Sequence, residues 1–316
     1  MLADAAPRKP HSPVLLLTFN RPDTTMQVID ALRAVKPSPL FVFNDGPRPS
    51  VSGDRDKVDE TRRVIQEGID WPAKVETLYL DANRGIVDGP PDAIDWFLSQ
   101  VPEGIILEDD CVPHPDFFYY CDELLDRYRD DNRVWVVSGD NSLELPITEP
   151  LSYGFISDPF VWGWATWRRA WEQHDRNMSG WSKYRRSKEF RRLVPDRVER
   201  VRRRALFDSK PISSWAYRWN LTILRNQGLV AVPRGNLVSN VGFEHLDAHN
   251  TFGPSPQANA ATFGILPITH PRSVEKDPLA QHEWVETGLR VRRRRPSNRF
   301  LKWFRKGLRA IKRVLR

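Results

Sequence analysis

Residues 104–111 read Gly-Ile-Ile-Leu-Glu-Asp-Asp-Cys, an apolar run that leads directly into three carboxylates. The apolar part is too short for a helix and is typical of a strand buried on both faces. Glu108, Asp109 and Asp110 therefore stand at the carboxyl end of a strand, where open α/β sheets bind ligands. Because adjacent carboxylates repel one another, the stretch indicates either a site for a hard divalent cation or a solvated acidic turn before Pro113.

Further apolar runs alternate with helix-like segments around this strand. Strands are predicted at 13–18, 40–43, 75–80 and 133–137, with short candidates at 230–232 and 237–238. Helices are predicted after the cap at 23–25, at 54–67, from Pro91 through Leu98, and at 115–128. This alternation predicts an α/β fold with a doubly wound, mostly parallel sheet.

Polar residues end four of the predicted strands. They are Thr18–Arg21, Asn44–Asp45, Asp81–Gly85 and Glu108–Asp110. Because parallel strands end at one edge of a sheet, these residues are expected to converge on a single site. The chain has no GxGxxG after its first strand and no GxxxxGK[ST], which argues against a dinucleotide-binding enzyme and a P-loop enzyme.

Charge is distributed unevenly along the chain. Residues 290–316 hold 13 of the 48 Lys and Arg residues and no acid, so the other 35 basic residues are outnumbered by 41 acidic ones. Any binding partner that the basic composition predicts is therefore a partner of this tail and not of the rest of the chain. The two cysteines, Cys111 and Cys121, are interpreted as buried thiols in a reducing compartment.

The second half of the chain is rich in tryptophan and arginine. Residues 160–167 hold three tryptophans, which serve either as core or as flat faces for stacking on a sugar ring or a lipid-linked acceptor. Residues 185–206 are predicted to form one basic helix with its apolar side chains inward, namely Phe190, Val194, Val198, Val201 and Ala205.

Six motifs in order make the chain resemble bacterial GT-A-type, family-2-like glycosyltransferases that use nucleoside diphosphate sugars. They are Leu-Thr-Phe-Asn-Arg-Pro (17–22), Asn-Asp-Gly-Pro-Arg (44–48), Ile-Leu-Glu-Asp-Asp-Cys (106–111), Ser-Gly-Asp-Asn (138–141), Trp-Gly-Trp-Ala-Thr-Trp (162–167) and Asn-Leu-Val-Ser-Asn-Val-Gly-Phe (236–243). The resemblance covers roughly residues 13–275. It implies a GT-A-like fold with a Rossmann-like nucleotide-binding half.

The resemblance also implies roles for individual residues. It places Mn²⁺ or Mg²⁺ on Asp110, a DxD-like metal-binding position, with His249 as a further ligand. It assigns donor contacts to Thr18, Asn20, Arg21, Asp45, Arg84 and Glu108. The position of the tryptophan motif after the donor half favours an acceptor contact for at least one of Trp162 and Trp164. A solvated turn arginine at Arg84 and a structural role for His249 are the alternatives. The expected donor is a nucleoside diphosphate sugar, with a UDP-sugar favoured, and the expected outcome is inversion.

Two departures from the family pattern affect the expected chemistry. Related sequences carry a carboxylate, a plausible general base, where this chain has Ala216. Asp208, Asp140 and Glu244 are the candidates to replace it, together with Asp247, and the sequence does not rank them. The segment 86–91 also differs from the usual loop, because Pro90 and Pro91 remove two backbone N–H groups.

The basic tail predicts contact with a membrane surface. Its apolar residues fall on one helical face, with lysines and arginines around the rest: Phe300, Leu301, Phe304, Leu308, Ile311 and Leu315. This composition is typical of an interfacial helix on anionic lipid. A nucleic-acid-binding run and a docked partner helix are the alternatives. No secretory signal is recognised, so the expected location is cytoplasmic, peripheral on the inner face of the membrane.

The resulting division of the chain has five parts: a flexible N-terminus (1–12), a nucleotide-sugar-binding half (13–150), an acceptor-side half of the same domain (151–275), a linker (276–298) and a basic amphipathic helix (299–316). The expected function is sugar transfer to an envelope-glycan or lipid-linked acceptor, as in polysaccharide biosynthesis, without nucleic acid. A catalytically silent protein that binds nucleotide sugars or glycans at the membrane is the alternative. A nucleotidyltransferase comes third.

Overall fold

The computed structural model describes residues 9–147, 150–209, 214–243, 255 and 257–289. Its central sheet has eight strands: β1 (Val14–Thr18), β2 (Leu40–Asn44), β3 (Val75–Tyr79), β4 (Glu103–Glu108), β6 (Val134–Ser138), β7 (Tyr153–Ile156), β8 (Trp164–Trp167) and β9 (Leu229–Pro233). Their order across the sheet is β3-β2-β1-β4-β8-β6-β9-β7. A separate antiparallel pair joins β5 (Cys111–Pro113) to β10 (Val238–Asn240).

Strand direction confirms the predicted fold class. Neighbouring strands are parallel from β3 through β2 and β1 to β4, and β6 is parallel to β9. Only β7 and β8, among the described strands of this sheet, run antiparallel to their neighbours. The fold is thus an α/β sheet in which most strands share one direction.

The helices of the first half are α1 (Pro22–Val35), α2 (Asp54–Gly68), α3 (Gly85–Gln100) and α4 (Asp116–Tyr128). The second half contributes α5 (Arg168–Trp171), α6 (Trp181–Tyr184), α7 (Lys188–Leu193), α8 (Arg197–Phe207), α9 (Ala216–Arg225) and α10 (Pro278–Glu283), followed by a π-helical turn at Trp284–Gly288. None of the described helices is long and apolar enough to span a bilayer.

Helices cover both faces of the sheet, which explains why β1, β2 and β6 are buried along their whole length, whereas the edge strand β3 is partly exposed. In β1, Leu16 joins a buried cluster with α1, α2 and α4, whereas Leu15 and Leu17 point to the other face and join a cluster with α3 and α9. A third, smaller cluster lies among α6, α7, α8 and α9 and is centred on Trp181 and Phe190.

The prediction of a single basic helix over 185–206 is wrong. The segment forms α7 and α8, which are separated at Pro195 because proline cannot continue a helix. Two capping side chains mark the new starts, since Ser187 accepts from the N–H of Phe190 and Asp196 from that of Glu199.

Burial along these helices corrects the prediction further. Phe190 and Val194 are buried as expected. Val198 and Val201 are exposed by 49% and 58%, and Ala205 is also exposed, so the inward face of α8 was misassigned. That face instead carries Arg203, whose buried guanidinium binds Asp158 at 2.6 Å.

Two further elements differ from the prediction. Helix α3 begins at Gly85, six residues before Pro91, because the carboxylate of Asp45 accepts the N–H groups of Arg84 and Gly85 and so caps the helix start. The tryptophan motif at 162–167, for which no strand was predicted, forms β8 at Trp164–Trp167, and this strand lies between β4 and β6. The predicted tail helix at 299–316 lies outside the described residues.

Candidate functional site

The carboxyl ends of four parallel strands form the candidate site. Strands β1, β2, β3 and β4 are neighbours, so the residues at their carboxyl ends meet at one edge of the sheet. The register pairs Leu17 with Glu108 and Thr18 with Asn44. The convergence predicted from the sequence is therefore present in the fold.

An arginine from the first strand loop neutralises part of the acidic group. The Nη1 atom of Arg21 lies 2.8 Å from Oδ2 of Asp110 and 3.9 Å from Oδ1 of Asp109. All three side chains are nearly buried. Asp109 also accepts the backbone N–H of Phe19 at 3.0 Å, which ties β4 to the loop after β1.

One arginine does not balance three carboxylates. Burial, with repulsion from Asp110 and Asp109, raises the pKa of Glu108 to about 8, although Arg21 opposes the shift. Burial likewise raises the pKa of Asp109 to about 7 against the attraction of Arg21. Burial is the largest cause of both shifts, and a bound cation would lower both pKa values because it favours the ionised carboxylates.

The β5–β10 pair closes the site around Asp110. Asn240 pairs with Cys111 in register, and its Nδ2 atom lies 3.4 Å from Oδ1 of Asp110. The backbone N–H of Val241 donates to the carbonyl of Asp110 at 2.8 Å. A Cβ atom at Gly242 would lie 2.1 Å from Oδ2 of Asp110, so only glycine fits at this position.

The sequence did not reveal these contacts. Asn240 and Gly242 belong to a motif that was recognised, but their partner lies about 130 residues earlier in the chain. Only the pairing of β10 with β5 creates that proximity, and a pattern read along the chain carries no signal for it.

Thr18 and Asn20 hold the first strand loop in place. The Thr18 hydroxyl donates to the carbonyl of Phe43 at 2.8 Å. The Asn20 amide donates to buried Asp54 at 2.6 Å. Burial opposes ionisation of Asp54, but hydrogen bonds from Arg48 and Asn20 lower its pKa overall. Within the described residues, Oδ1 of Asn20 is buried and has no hydrogen-bond partner.

Asp45 joins the loops at the carboxyl ends of β2 and β3. Its carboxylate accepts the backbone N–H groups of Gly46, Arg84 and Gly85 at 2.8, 2.8 and 3.0 Å, and the side-chain amide of Asn83 at 3.0 Å. Both oxygens are thus used within the fold. The guanidinium of Arg84 is half exposed and pairs with Asp92 at 2.9 Å.

Asp140 and Trp162 extend the same edge toward the second half. Ile106, Trp164 and Ser138 lie side by side in β4, β8 and β6. Glu108, Trp162 and Asp140 each lie two residues beyond that row, at the same edge. Since β8 separates the two parallel strands, the backbones of β4 and β6 are about 10 Å apart across the sheet.

Asp140 is buried, and its environment brings its pKa closer to neutral pH. Burial raises the pKa of this carboxyl to about 6, although the N–H of Ser142 donates to it at 2.7 Å. Trp162 is half buried, and its ring packs edge-on against Phe243 with centroids 5.4 Å apart. A carboxylate with this pKa suits proton transfer at neutral pH.

Two of the predicted residues lie away from the edge. Trp164 has no exposed surface and packs among Trp171, Trp215 and Trp219 in the core. Asp208 accepts from Nε1 of Trp181 and pairs with Arg185 at 2.7 Å, within the third cluster. Glu244 and His249 lie outside the described residues.

The donor set at the edge fits a hard cation. Carboxylate oxygens suit Mg²⁺ and Mn²⁺, and Mg²⁺ is often held by one or two carboxylates while substrate phosphates and water complete its shell. Asp110 and Glu108 supply two such groups, and the pKa of Glu108 is raised chiefly by burial and further by repulsion from Asp110 and Asp109. In the described part of the chain, no group of three or more His, Cys, Asp or Glu residues is arranged so that it could hold a metal ion by itself.

No protein-family model matches the chain, and no curated protein matches it at a significant level. The resemblance to family-2-like glycosyltransferases therefore stays a prediction. Comparison with solved structures finds proteins of low sequence identity. One is HddC from Yersinia pseudotuberculosis, with a TM-score of 0.33, 9% identity, and coverage of 50% of this chain and 77% of that chain.

Two other solved structures are similar to the same degree. The 4-diphosphocytidyl-2C-methyl-D-erythritol synthase of Anaerococcus prevotii gives a TM-score of 0.32 at 9% identity and covers 57% of this chain and 78% of that chain. Mouse xyloside xylosyltransferase 1, in its apo form, gives 0.34 at 10% identity and covers 68% of this chain and 81% of that chain.

Proposed function

We propose that the chain is a metal-dependent glycosyltransferase that moves a sugar from a nucleoside diphosphate sugar to a glycan or lipid-linked acceptor. The observation that carries this proposal is the juxtaposition of Arg21, Asp110 and Glu108 at the carboxyl ends of parallel strands. This edge combines carboxylates for a cation with a guanidinium for a phosphate.

In this proposal, the described residues would supply three parts of the donor site. Asp110 and Glu108 would hold Mg²⁺ or Mn²⁺, which when bound would stabilise the negative charge that develops on the departing diphosphate. Arg21 lies beside Asp110 and would contact the diphosphate. Asp45 positions the backbone of Arg84 and Gly85 at the same edge, and so shapes the pocket without having to touch the nucleotide.

Asp140 is the base we assign to this reaction. It would accept the proton of the acceptor hydroxyl while that oxygen attacks the anomeric carbon, and the bond from this carbon to the diphosphate oxygen breaks. Asp140 is favoured because it lies at the site edge and burial raises its pKa to about 6. Asp208 lies in another cluster, bound to Trp181 and Arg185.

The acceptor side is assigned to the half-buried ring of Trp162. This ring packs edge-on against the buried ring of Phe243 and lies at the same edge of the sheet as the proposed base. Such faces stack on sugar rings. A membrane-linked acceptor would be reached through residues 299–316, which we propose to lie on anionic lipid at the cytoplasmic face.

Release of nucleoside diphosphate from a panel of nucleotide sugars tests the function. The protein is incubated with each donor, Mn²⁺ and a set of glycan acceptors, beside Asp110→Ala and the surface control Asp30→Ala, whose carboxylate pairs with Arg33 on α1. Release that is lost in Asp110→Ala and kept in Asp30→Ala supports the proposal. Donor binding without release across all acceptors would favour the binding-protein alternative, to which Ala216 also points.

A further inference from the structure

The helices α6, α7 and α8 carry a strong local excess of positive charge. Residues 181–207 contain 11 lysines and arginines and three acidic residues. The balance of the whole chain hides this excess, because the 35 basic residues outside the tail are outnumbered by 41 acidic ones. Six of the basic side chains are exposed and form no ion pair within the described residues, namely Lys183, Arg186, Lys188, Arg191, Arg192 and Arg197. Their charge is therefore available to an anionic partner.

Helix α8 exposes an apolar stripe within this basic region. At 3.6 residues per turn, Val198, Val201 and Ala205 lie on one side of the helix. All three are exposed, whereas Arg203 and Phe207 on the opposite side are buried. The outward face of a surface helix is ordinarily polar, so this stripe calls for a partner that takes up aliphatic side chains.

Arginines border the stripe on both sides. By the same helical spacing, Arg197 and Arg204 lie along one border and Arg202 along the other. Arg202 pairs with Glu286 at 3.1 Å, whereas Arg204 donates to the carbonyl of Arg185 at 2.8 Å. A carbonyl holds a guanidinium in place without neutralising it, so Arg204 adds to the positive charge beside the stripe.

Charge excludes other parts of this chain as the partner of the stripe. The tail at 290–316 has 13 basic residues and no acid, so this surface would repel it. A second copy of the same surface would be repelled for the same reason. The partner must therefore carry negative charge.

The combination of charge and aliphatic side chains favours one anionic partner, a phospholipid surface. Contacts with nucleic-acid phosphates need the arginines but have no use for exposed valines. The energetic centre of a protein interface is usually built on large aromatic side chains, and the stripe has none. An anionic membrane meets both features, because its headgroups attract the basic residues and its acyl boundary accepts the valines.

We propose that the exposed face of α8, with the basic side chains of α6 and α7, is a contact surface for anionic phospholipid. This contact belongs to the described helices, is made in addition to any contact of the tail, and does not depend on sugar transfer. It is a partner site that the net charge of the chain does not predict. Because the helices are packed against the rest of the fold, the contact would orient the sheet-edge site relative to the membrane.

Co-sedimentation of the full chain with vesicles tests the role of charge. Vesicles of phosphatidylcholine are compared with vesicles that also contain phosphatidylglycerol. Arg192→Glu with Arg197→Glu should weaken binding to the anionic vesicles at least about tenfold. The control is Arg55→Glu with Arg272→Glu, which makes the same change in net charge at two other exposed arginines and should bind like wild type. An equal loss in both pairs, or equal binding to both kinds of vesicle, would overturn the proposal.

An environment-sensitive fluorophore on Val201→Cys tests contact at the stripe itself, again in the full chain. Both native cysteines are buried, so the label reacts with the introduced thiol. Anionic vesicles should shift its emission to the blue and leave a label on Ala34→Cys, at an exposed position of α1, unchanged. Vesicle binding without a shift at position 201 would assign the contact to the tail and overturn the proposal. Binding of a DNA duplex that the Arg192 and Arg197 changes abolish, with no shift from vesicles, would identify nucleic acid as the partner instead.

Discussion

Nη1 of Arg21 lies 2.8 Å from the carboxylate of Asp110, although 89 residues separate them in the chain. The loop after β1 and the end of β4 bring them together because these strands are adjacent and parallel. The guanidinium supplies part of the positive charge that the acidic residues at this buried edge require. Arg21 and the proposed metal ion would therefore both contact Asp110.

Arg21→Met should destabilise the metal-free protein, because it removes the cation beside nearly buried Asp109 and Asp110. The expected loss is about 3 kcal/mol, as for one partner of a buried ion pair. Mn²⁺ should restore Tm in this variant more strongly than in wild type, since it replaces the missing charge. Thermal unfolding with and without Mn²⁺ measures both effects.

The control for this experiment is Arg33→Met, which breaks exposed pairs with Asp30 and Asp70. Exposed pairs contribute about 0–1 kcal/mol, so Tm should change little and should not respond to Mn²⁺ differently from wild type. An equal response to Mn²⁺ in Arg21→Met and Arg33→Met would show that Arg21 does not share its site with a cation.

Gly242→Ala should displace the proposed metal ligand. The added Cβ would lie 2.1 Å from Oδ2 of Asp110, so the carboxylate must move. We expect weaker binding of nucleoside diphosphate and Mn²⁺ by calorimetry, with the fold retained. Gly235→Ala is the control, because its nearest contact would be Phe263 at an ordinary 3.4 Å. Unchanged binding in Gly242→Ala would contradict the placement of the ligand.

Asp140→Asn should lower kcat at least about a hundredfold, the usual contribution of a general base, and leave donor binding unchanged. In wild type, the rate should fall as the pH drops below about 6, because protonated Asp140 cannot accept the proton. Initial rates over a pH series measure this. Asp208→Asn should retain the wild-type rate, and loss of activity there alone would assign the base to the other cluster.

His174 makes the stability dependent on pH. Burial, aided by Arg176 and Arg218, lowers its pKa from 6.5 to about 4, and its ring packs against Trp171 with the ring planes tilted. Since the unfolded chain binds the proton more readily, stability should be lost as the pH falls from about 6.5 to about 4. His174→Phe keeps the aromatic contact and removes the charge, so its Tm should fall less over that range. An identical fall in both proteins would contradict this assignment.

Local patterns predicted the parallel half of the fold well. The strands at 13–18 and 40–43 match β1 and β2 closely, because strands buried on both faces are visible as apolar runs. The same reasoning predicts the position of Glu108, Asp109 and Asp110 at the end of β4. Residues directly after a strand in the sequence also lie next to that strand in space, so this part of the site could be predicted.

Contacts between distant segments could not be predicted in this way. Residues 164–167 form β8, which lies between β4 and β6 in the sheet. Their own sequence carries no signal for this position. Burial in that position removes Trp164 from the surface. The proximity of Gly242 to Asp110 depends in the same way on the β5–β10 pair.

The break in the basic segment was visible in the sequence. Ser187 and Asp196 are residues that cap helices, and Pro195 precedes the second of them. The prediction of a single helix rests on the regular spacing of Val194, Val198 and Val201 and does not take these capping signals into account. Val201 lies exposed because buried Arg203 and its ion pair with Asp158 determine which side of α8 faces the core.

Equilibrium binding of nucleoside diphosphates to wild type and Asp110→Asn, with and without Mn²⁺, tests the central claim most directly. Calorimetry with the uridine, guanosine, cytidine and adenosine diphosphates should find one that wild type binds at least about tenfold more tightly with Mn²⁺, a gain of about 1.4 kcal/mol. Asp110→Asn should show no gain. Equal affinity with and without Mn²⁺ in wild type, or the same gain in Asp110→Asn, would contradict a metal-dependent donor site at this edge of the sheet.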